Sequence, residues 1–169
     1  ASGLQTMSAL VPNTTRLSAP AVFTIHDTDN AATEIEFTAG ASITVSMGKE
    51  ATEKKVRVEL LSSQSSEKVG SIVPAEHGFF EAMNQSLWSG GLYVHVPANV
   101  HLNEPIFLNI QTDADAPFLR LFVRMENGAQ ATLLERINSG SSAGASVMVS
   151  EILLEDCARL EHGLIYNQK

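Results

Sequence analysis

The sequence predicts a mainly β protein, a parallel β-helix (solenoid) with one short helix near residues 78–88. Three observations predict it. A seven-residue phrase recurs: Met125-Glu-Asn-Gly-Ala-Gln-Ala131 returns as Leu154-Glu-Asp-Cys-Ala-Arg-Leu160, an offset of 29 (154 − 125). The same apolar skeleton stands 29 residues earlier at Val96-Pro-Ala-Asn-Val-His-Leu102, and Phe37-Thr-Ala-Gly-Ala-Ser-Ile43 precedes Met125 by 88, close to three periods. Several other segments alternate apolar and polar residues with a period of two, and a single stretch shows helical spacing. A fixed period of this length marks stacked supersecondary units, none of which can bury its inner face alone.

Within each copy the fifth and seventh positions are apolar: Val100 and Leu102, Ala129 and Ala131, Ala158 and Leu160. A separation of two puts both side chains on one face of a strand. The polar residue between them, His101, Gln130 or Arg159, then faces outward. The fourth position is Asn99, Gly128 or Cys157, with Gly40 in the earlier copy. Asn and Gly tolerate the left-handed backbone of a tight turn. Each copy therefore reads as a corner followed by a strand, and about 29 residues suits one coil with strands stacked roughly 4.8 Å apart. Ala129 is expected over Ala158, and Ala131 over Leu160.

Residues 1–20, Ser/Thr-rich with Pro12 and Pro20, read as a tail or leading arm. An N-terminal β segment, 21–69, follows, with strands expected at Val22–Ile25, Glu34–Phe37, Ser42–Met47 and Val56–Leu60. A charged turn is expected over Lys49–Lys55, and an exposed Ser-rich loop over Ser62–Lys68. The period then changes. Phe79, Met83 and Leu87 share one helical face, and Ser89-Gly90-Gly91 stops the helix. The aromatic face of this helix, with Trp88, is expected to pack on the first coil and cover a sheet edge. Further strands are expected at Leu92–Val96, Ile106–Ile110, Leu119–Val123, Ala131–Ile137, Val147–Leu153 and Leu160–Tyr166. Thr112–Pro117 reads as an acidic turn, and Asn138–Gly144 as a flexible excursion. The last strand runs to Asn167-Gln-Lys169 without a capping unit, which predicts a fragment or a cap supplied by a partner.

The chain has 169 residues, enough for one domain and a sizeable core, with net charge −8. That charge disfavours nucleic acid and anionic membrane, which need clustered Lys and Arg. No apolar run reaches the length of a membrane span, and no signal peptide opens the chain. The single cysteine excludes an internal disulfide framework and points to a reducing, cytoplasmic setting.

The chemistry-bearing motifs are few. No phosphate-cradling glycine loop, serine-nucleophile elbow or zinc-protease helix is present, so an enzyme is not predicted. Asp27-Thr-Asp-Asn30 fails as a calcium loop, because Ala32 and Thr38 occupy the positions of the turn glycine and the bidentate Glu. Cys157 and His162 are the two candidate metal ligands, and two are too few for a closed site; Cys157 reads first as a small corner residue. Glu126 and Glu155 hold one slot in adjacent repeats, so two carboxylates are expected within one strand spacing, pointing outward into solvent. His26, His77, His95 and His101 form no spacing pattern, and His101 is expected at the surface.

The stretch Gly70-Ser-Ile-Val-Pro74, Phe79/Phe80, Ala82-Met-Asn84, Trp88-Ser-Gly-Gly-Leu-Tyr-Val-His-Val-Pro97 and Glu104-Pro105-Ile106 resembles the SufB/SufD family of iron–sulfur cluster assembly proteins. The later phrases Glu126-Asn-Gly-Ala-Gln-Ala-Thr-Leu and Glu155-Asp-Cys-Ala-Arg-Leu-Glu-His162 resemble the family's repeated coils. The resemblance runs from about Gly70 to the end, so 70–169 reads as a SufBD-like β-helix core, truncated relative to the family. It implies a right-handed solenoid and a non-catalytic scaffold. The scaffold would pair with another SufB/SufD-like subunit as a homo- or heterodimer, and would work with a SufC-like ABC ATPase through regions beyond this chain. It implies an iron–sulfur cluster carried transiently by the full complex, with no cofactor bound by this fragment. The sole cysteine leans to a SufD-like role, at the N-terminal part of such a protein. The alternative from another class is a secreted-type β-helix module that binds or cleaves carbohydrate, though exposed aromatics are scarce and Trp88 is used in the helix.

Overall fold

The computed structural model describes residues 22–24, 32–37, 41–61, 69–88, 90–112, 118–139 and 147–168. The expected tail over 1–20, the rejected calcium loop at Asp27–Asn30, the Ser62–Lys68 loop, Gly40 and most of the two predicted excursions after Thr112 and Asn138 lie outside these residues.

The described chain is mainly β. In order, the elements are β1 (Val22–Thr24), β2 (Ala32–Phe37), β3 (Ala41–Ser46), α1 (Lys49–Glu53), β4 (Arg57–Leu60), a 3₁₀ turn (Ala75–His77), α2 (Phe79–Leu87), β5 (Gly90–Val96), β6 (Ile106–Thr112), β7 (Phe118–Met125), β8 (Gln130–Ser139), β9 (Val147–Leu154) and β10 (Arg159–Gln168). They form a six-stranded sheet, β1-β2-β3-β6-β8-β10, and a four-stranded sheet, β4-β5-β7-β9.

Parallel pairs carry the repeat. Gly90 pairs with Leu119 and Phe118 with Val147, both offsets of 29 (119 − 90 and 147 − 118). Gln130 pairs with Arg159 and Ala131 with Leu160 at the same offset. The ladder continues through the corners, where Glu126 N donates to Val96 O (3.0 Å), Glu155 N to Met125 O (2.9 Å) and Arg159 N to Ala129 O (2.8 Å). Asn99, Gly128 and Cys157, one repeat apart, all adopt positive φ, at 58°, 68° and 59°. The corner position of the repeat is therefore the left-handed residue of each turn.

The sheets are mixed, and in this they differ from the uniform parallel stack that the repeat predicts. β1, β2, β3 and β6 join antiparallel, as do β4 and β5. The register also slips once. His101 bridges Gln130 at 29, yet Ile106 pairs with Leu133 at 27 (133 − 106). Two extra residues are accommodated between them at Leu102–Pro105, as a bulge accommodates an insertion. Helix α1 clamps this bulge. The Glu50 carboxylate accepts from Asn103 N (3.0 Å) and Asn103 Nδ2 (2.9 Å), and Lys54 Nζ donates to Glu50 (2.6 Å) and to His101 O (2.6 Å). The charged stretch Lys49–Lys55 is thus a one-turn helix where a turn was expected. Its Lys49–Glu53 and Glu50–Lys54 pairs stand at helical i,i+4 spacing.

Alternate residues of both sheets meet in one core: Ile43 and Val45, Leu92, Val94 and Val96, Ile106, Leu108 and Ile110, Leu119, Leu121, Val123 and Met125, with Ala129, Ala131, Leu133 and Ile137. β5 and β7 are buried on both faces, because α2 and the chain leading into it cover the outside of the four-stranded sheet. A satellite cluster of Leu61, Tyr93 and Phe122, with Val69 and Trp88 against it, fills part of that cover.

Helix α2 differs from expectation in how it packs. It lies against β7 and β9 rather than against the strands that open the sheet. Its buried residue is Asn84, while Phe79 and Phe80 are exposed. The helix ends at Leu87, ahead of the glycines, and Gly91 meets a further need: a Cβ on Gly91 would lie 2.1 Å from Arg120 O. Gly91 is required by the close approach of strand β7.

Candidate functional site

The densest polar arrangement lies under α2. Strand β7 turns Arg120 out from the inter-sheet core, and β9 does the same with Glu151. Arg120 NH1 donates to Glu151 Oε1 at 2.6 Å, with both side chains 1% exposed. The carboxylate also accepts from three backbone amides of the strap before α2: Gly70 N (2.7 Å) to Oε1, and Ile72 N (2.8 Å) and Val73 N (3.1 Å) to Oε2. Gly70 has φ +78, so this is a concave nest of N–H groups closed on an internal anion. Burial pushes the Glu151 carboxyl up; the three amides and then the Arg120 charge outweigh it and hold the group below the ordinary carboxylate range.

Asn84 completes the arrangement. Its Oδ1 accepts from Arg120 Nε (2.7 Å), and its Nδ2 donates to Leu119 O (3.0 Å) and Val147 O (2.9 Å). One helical side chain therefore ties α2 to β7 and β9 together. Arg120 NH2 is buried with no hydrogen-bond partner among the described residues.

A second row crosses the outer face of the same sheet. Arg57 on β4 donates from Nε (3.3 Å) and lies 3.1 Å through NH2 from His95 Nδ1. A guanidinium cannot accept, so Nδ1 carries the lone pair and Nε2–H donates to Glu126 Oε1 at 2.9 Å. Glu126 also accepts from Ala98 N (3.0 Å). The His95 bond, then Ala98, hold its carboxyl below the ordinary range against the opposing effect of burial. Arg124 lies 3.9 Å from Glu126 and donates to Glu155 through Nε (2.9 Å) and NH2 (2.7 Å). Glu126 and Glu155 do share a repeat slot, as expected. They are not simply solvated, because Arg124 stands between them.

A third pair lies on the inner face. Along β8 the buried alternation Ala131, Leu133, Ile137 includes Glu135. His162 Nε2 lies 2.6 Å from Glu135 Oε1, with side-chain exposures of 29% and 2%. Burial raises the Glu135 carboxyl, and the His162 contact offsets part of that rise.

His162 is therefore matched with a carboxylate absent from the expected metal pair. Cys157, the other candidate ligand, is exposed at its corner. Among the described residues no group of three His, Cys, Asp or Glu side chains gathers as a metal site. His101 is exposed, as expected, with Nε2 3.2 Å from Gly128 O. Asn84, Arg120, Glu135 and Glu151 were missed by sequence reasoning. The one available signal was charge between apolar residues of the same strand face, with Arg120 between Phe118 and Phe122 and Glu135 between Leu133 and Ile137.

Among the described residues no helix is long and apolar enough to cross a membrane. No family model matches the chain. It is 30% identical over 105 residues to an iron–sulfur cluster assembly SufBD family protein of Staphylococcus epidermidis, a match covering 60% of this chain and 23% of that protein. A SufBD family protein of Staphylococcus saprophyticus is 28% identical over 101 residues, and one of Staphylococcus aureus 29% over 101, each covering 57% of this chain and 22% of the relative. The chain thus spans less than a quarter of the length of the curated relatives it matches. These matches are to the family that the Gly70–Pro105 motifs resemble, and they support kinship of this chain with the SufB/SufD iron–sulfur cluster assembly proteins.

Proposed function

We propose that this chain is part of a non-catalytic scaffold subunit of SUF-type iron–sulfur cluster assembly, in the cytoplasm. It pairs with another SufB/SufD-like subunit and works with a SufC-like ATPase. The observation that carries the reading is the similarity to SufBD family relatives across 60% of the chain. The 29-residue parallel rungs accord with it. On this reading the two sheets are successive walls of a right-handed β-helix, introduced by the antiparallel strands β1–β4.

The cluster is cargo here. One exposed cysteine cannot ligate a cluster held by four thiolates, so cluster ligands belong to the full complex. The sole cysteine favours a SufD-like part. The carbohydrate-module alternative gains no support from these relatives.

The test is co-purification of the full-length protein with a SufB/SufD-like partner and a SufC-like ATPase. A complex that accepts iron and sulfide under anaerobic reconstitution is expected. Separate elution of all three components would overturn the reading, as would glycan binding or cleavage by the protein alone.

A further inference from the structure

Among the described residues, large exposed apolar side chains fall into two groups. Leu153, Leu154, Leu164, Ile165 and Tyr166 belong to β9 and β10, the outermost parallel strands of their sheets. Ile72, Phe79 and Phe80 do not. They lie on the strap and helix over residues 70–87, and are 37%, 41% and 60% exposed.

This segment is firmly held. Glu151 fastens the strap through three amides, two of them at Ile72 and Val73, and Asn84, one turn on from Phe80, fastens α2 to two strands. Phe79 and Phe80 meet edge to face at 5.4 Å. A buried ionic network thus fixes a short platform whose outward side carries two aromatic rings and an isoleucine. Rigid aromatics on a preorganised surface are the residues that dominate protein interfaces.

Charge narrows the occupant. Between residues 69 and 88 there is no Lys or Arg, and the acidic residues are Glu76 and Glu81. The Glu81 carboxylate folds back over Gly78, beside the first turn of α2. A second copy of this chain would set these carboxylates against their own likeness, with −8 on each side.

We propose that the outward side of the platform, centred on Phe79 and Phe80, docks a different subunit that presents an apolar socket rimmed by Lys and Arg. The proposal rests on the assembly role above, and adds to it a partner surface and that surface's chemistry.

The test is hydroxyl-radical footprinting of the full-length protein, alone and assembled with its SufB/SufD-like partner and ATPase, with complex formation checked by gel filtration. Oxidation of Phe79 and Phe80 is expected in the free protein and several-fold protected in the complex. Phe80→Ser and Glu81→Lys are expected to weaken association about tenfold, the loss of one interface hot spot, with unchanged thermal unfolding. Phe79 and Phe80 protected already in the free protein, or oxidised equally in an assembled complex, would overturn the docking surface and leave the assembly role standing. Absence of any complex would overturn the assembly role, and the docking proposal with it.

Discussion

Arg120 and Glu151 lie in neighbouring parallel strands and meet at 2.6 Å with both side chains 1% exposed. A buried ion pair is weak as a source of stability but costly to halve, because the survivor is left as an uncompensated charge. Glu151→Ala should therefore destabilise by about 3–5 kcal/mol in urea unfolding, with the amides of Gly70, Ile72 and Val73 losing hydrogen-exchange protection first. A loss below about 1 kcal/mol would show that the strap is held by other contacts.

The same pair has a pH signature. The folded Glu151 carboxyl sits below its ordinary value of 4.5. Its contribution is therefore complete above that value and is lost as pH falls through the folded one. Strap protection should be level above 4.5, drop as pH falls below it through the lowered folded value, and return on neutralisation. Protection that stays level into that range would contradict the assignment.

Glu135 runs the other way. Its folded carboxyl is raised above 4.5 by burial, so the folded state holds its proton more tightly than the unfolded state does. Stability then declines as pH rises from about 4.5 through the raised folded value. Glu135→Gln should remove that slope, seen as a wild-type-minus-variant difference in unfolding free energy that changes over this window and is flat above it. A difference constant with pH would count against the buried, titrating carboxyl.

Cys157 holds a left-handed turn at φ 59 where its repeat partner is Gly128. A residue with a Cβ is strained there by roughly 1–2 kcal/mol. Cys157→Gly should raise the melting temperature. Gly91→Ala should do the opposite and cost about 3 kcal/mol or more, since the added methyl would meet the Arg120 carbonyl at 2.1 Å. Thermal unfolding of both variants checks the pair.

An amide ladder supplies a further measurement. Asn138 Nδ2 donates to Asn109 Oδ1 (2.9 Å) and Asn167 Nδ2 to Asn138 Oδ1 (3.1 Å), each link 29 residues long. Asn138→Ala should cost about 1–3 kcal/mol for two side-chain bonds. A smaller loss on urea unfolding would mean that water replaces both.

The phrase at Met125 and Leu154 predicted the register of Ala131 on Leu160, because corner and strand chemistry are local and repeat every 29 residues. The left-handed corners were legible for the same reason at Asn99 and Gly128. The antiparallel lead-in was not legible: alternation in Val56–Leu60 reports one buried face and says nothing of partner or direction. Phe79 and Phe80 misled for a physical reason. Periodicity assumes that the apolar side of a helix faces inward, whereas here a buried amide at Asn84 anchors α2. The Asn109–Asn138–Asn167 ladder shares the 29-residue spacing, but lies outside the phrase that revealed it. The Arg120–Glu151 network joins residues 31 apart to a strap 78 to 81 residues upstream of Glu151, a meeting that only tertiary structure brings about.

The antiparallel strands that introduce both sheets give each sheet a polarity. Along the two sheets β4 is set against β5, and β3 against β6, before the parallel pairs begin. A strand added beyond β9 or β10 would meet its neighbour in the same direction as the pairs already there. One inserted beside β3 or β4 would have to break an antiparallel ladder and reverse the direction of pairing.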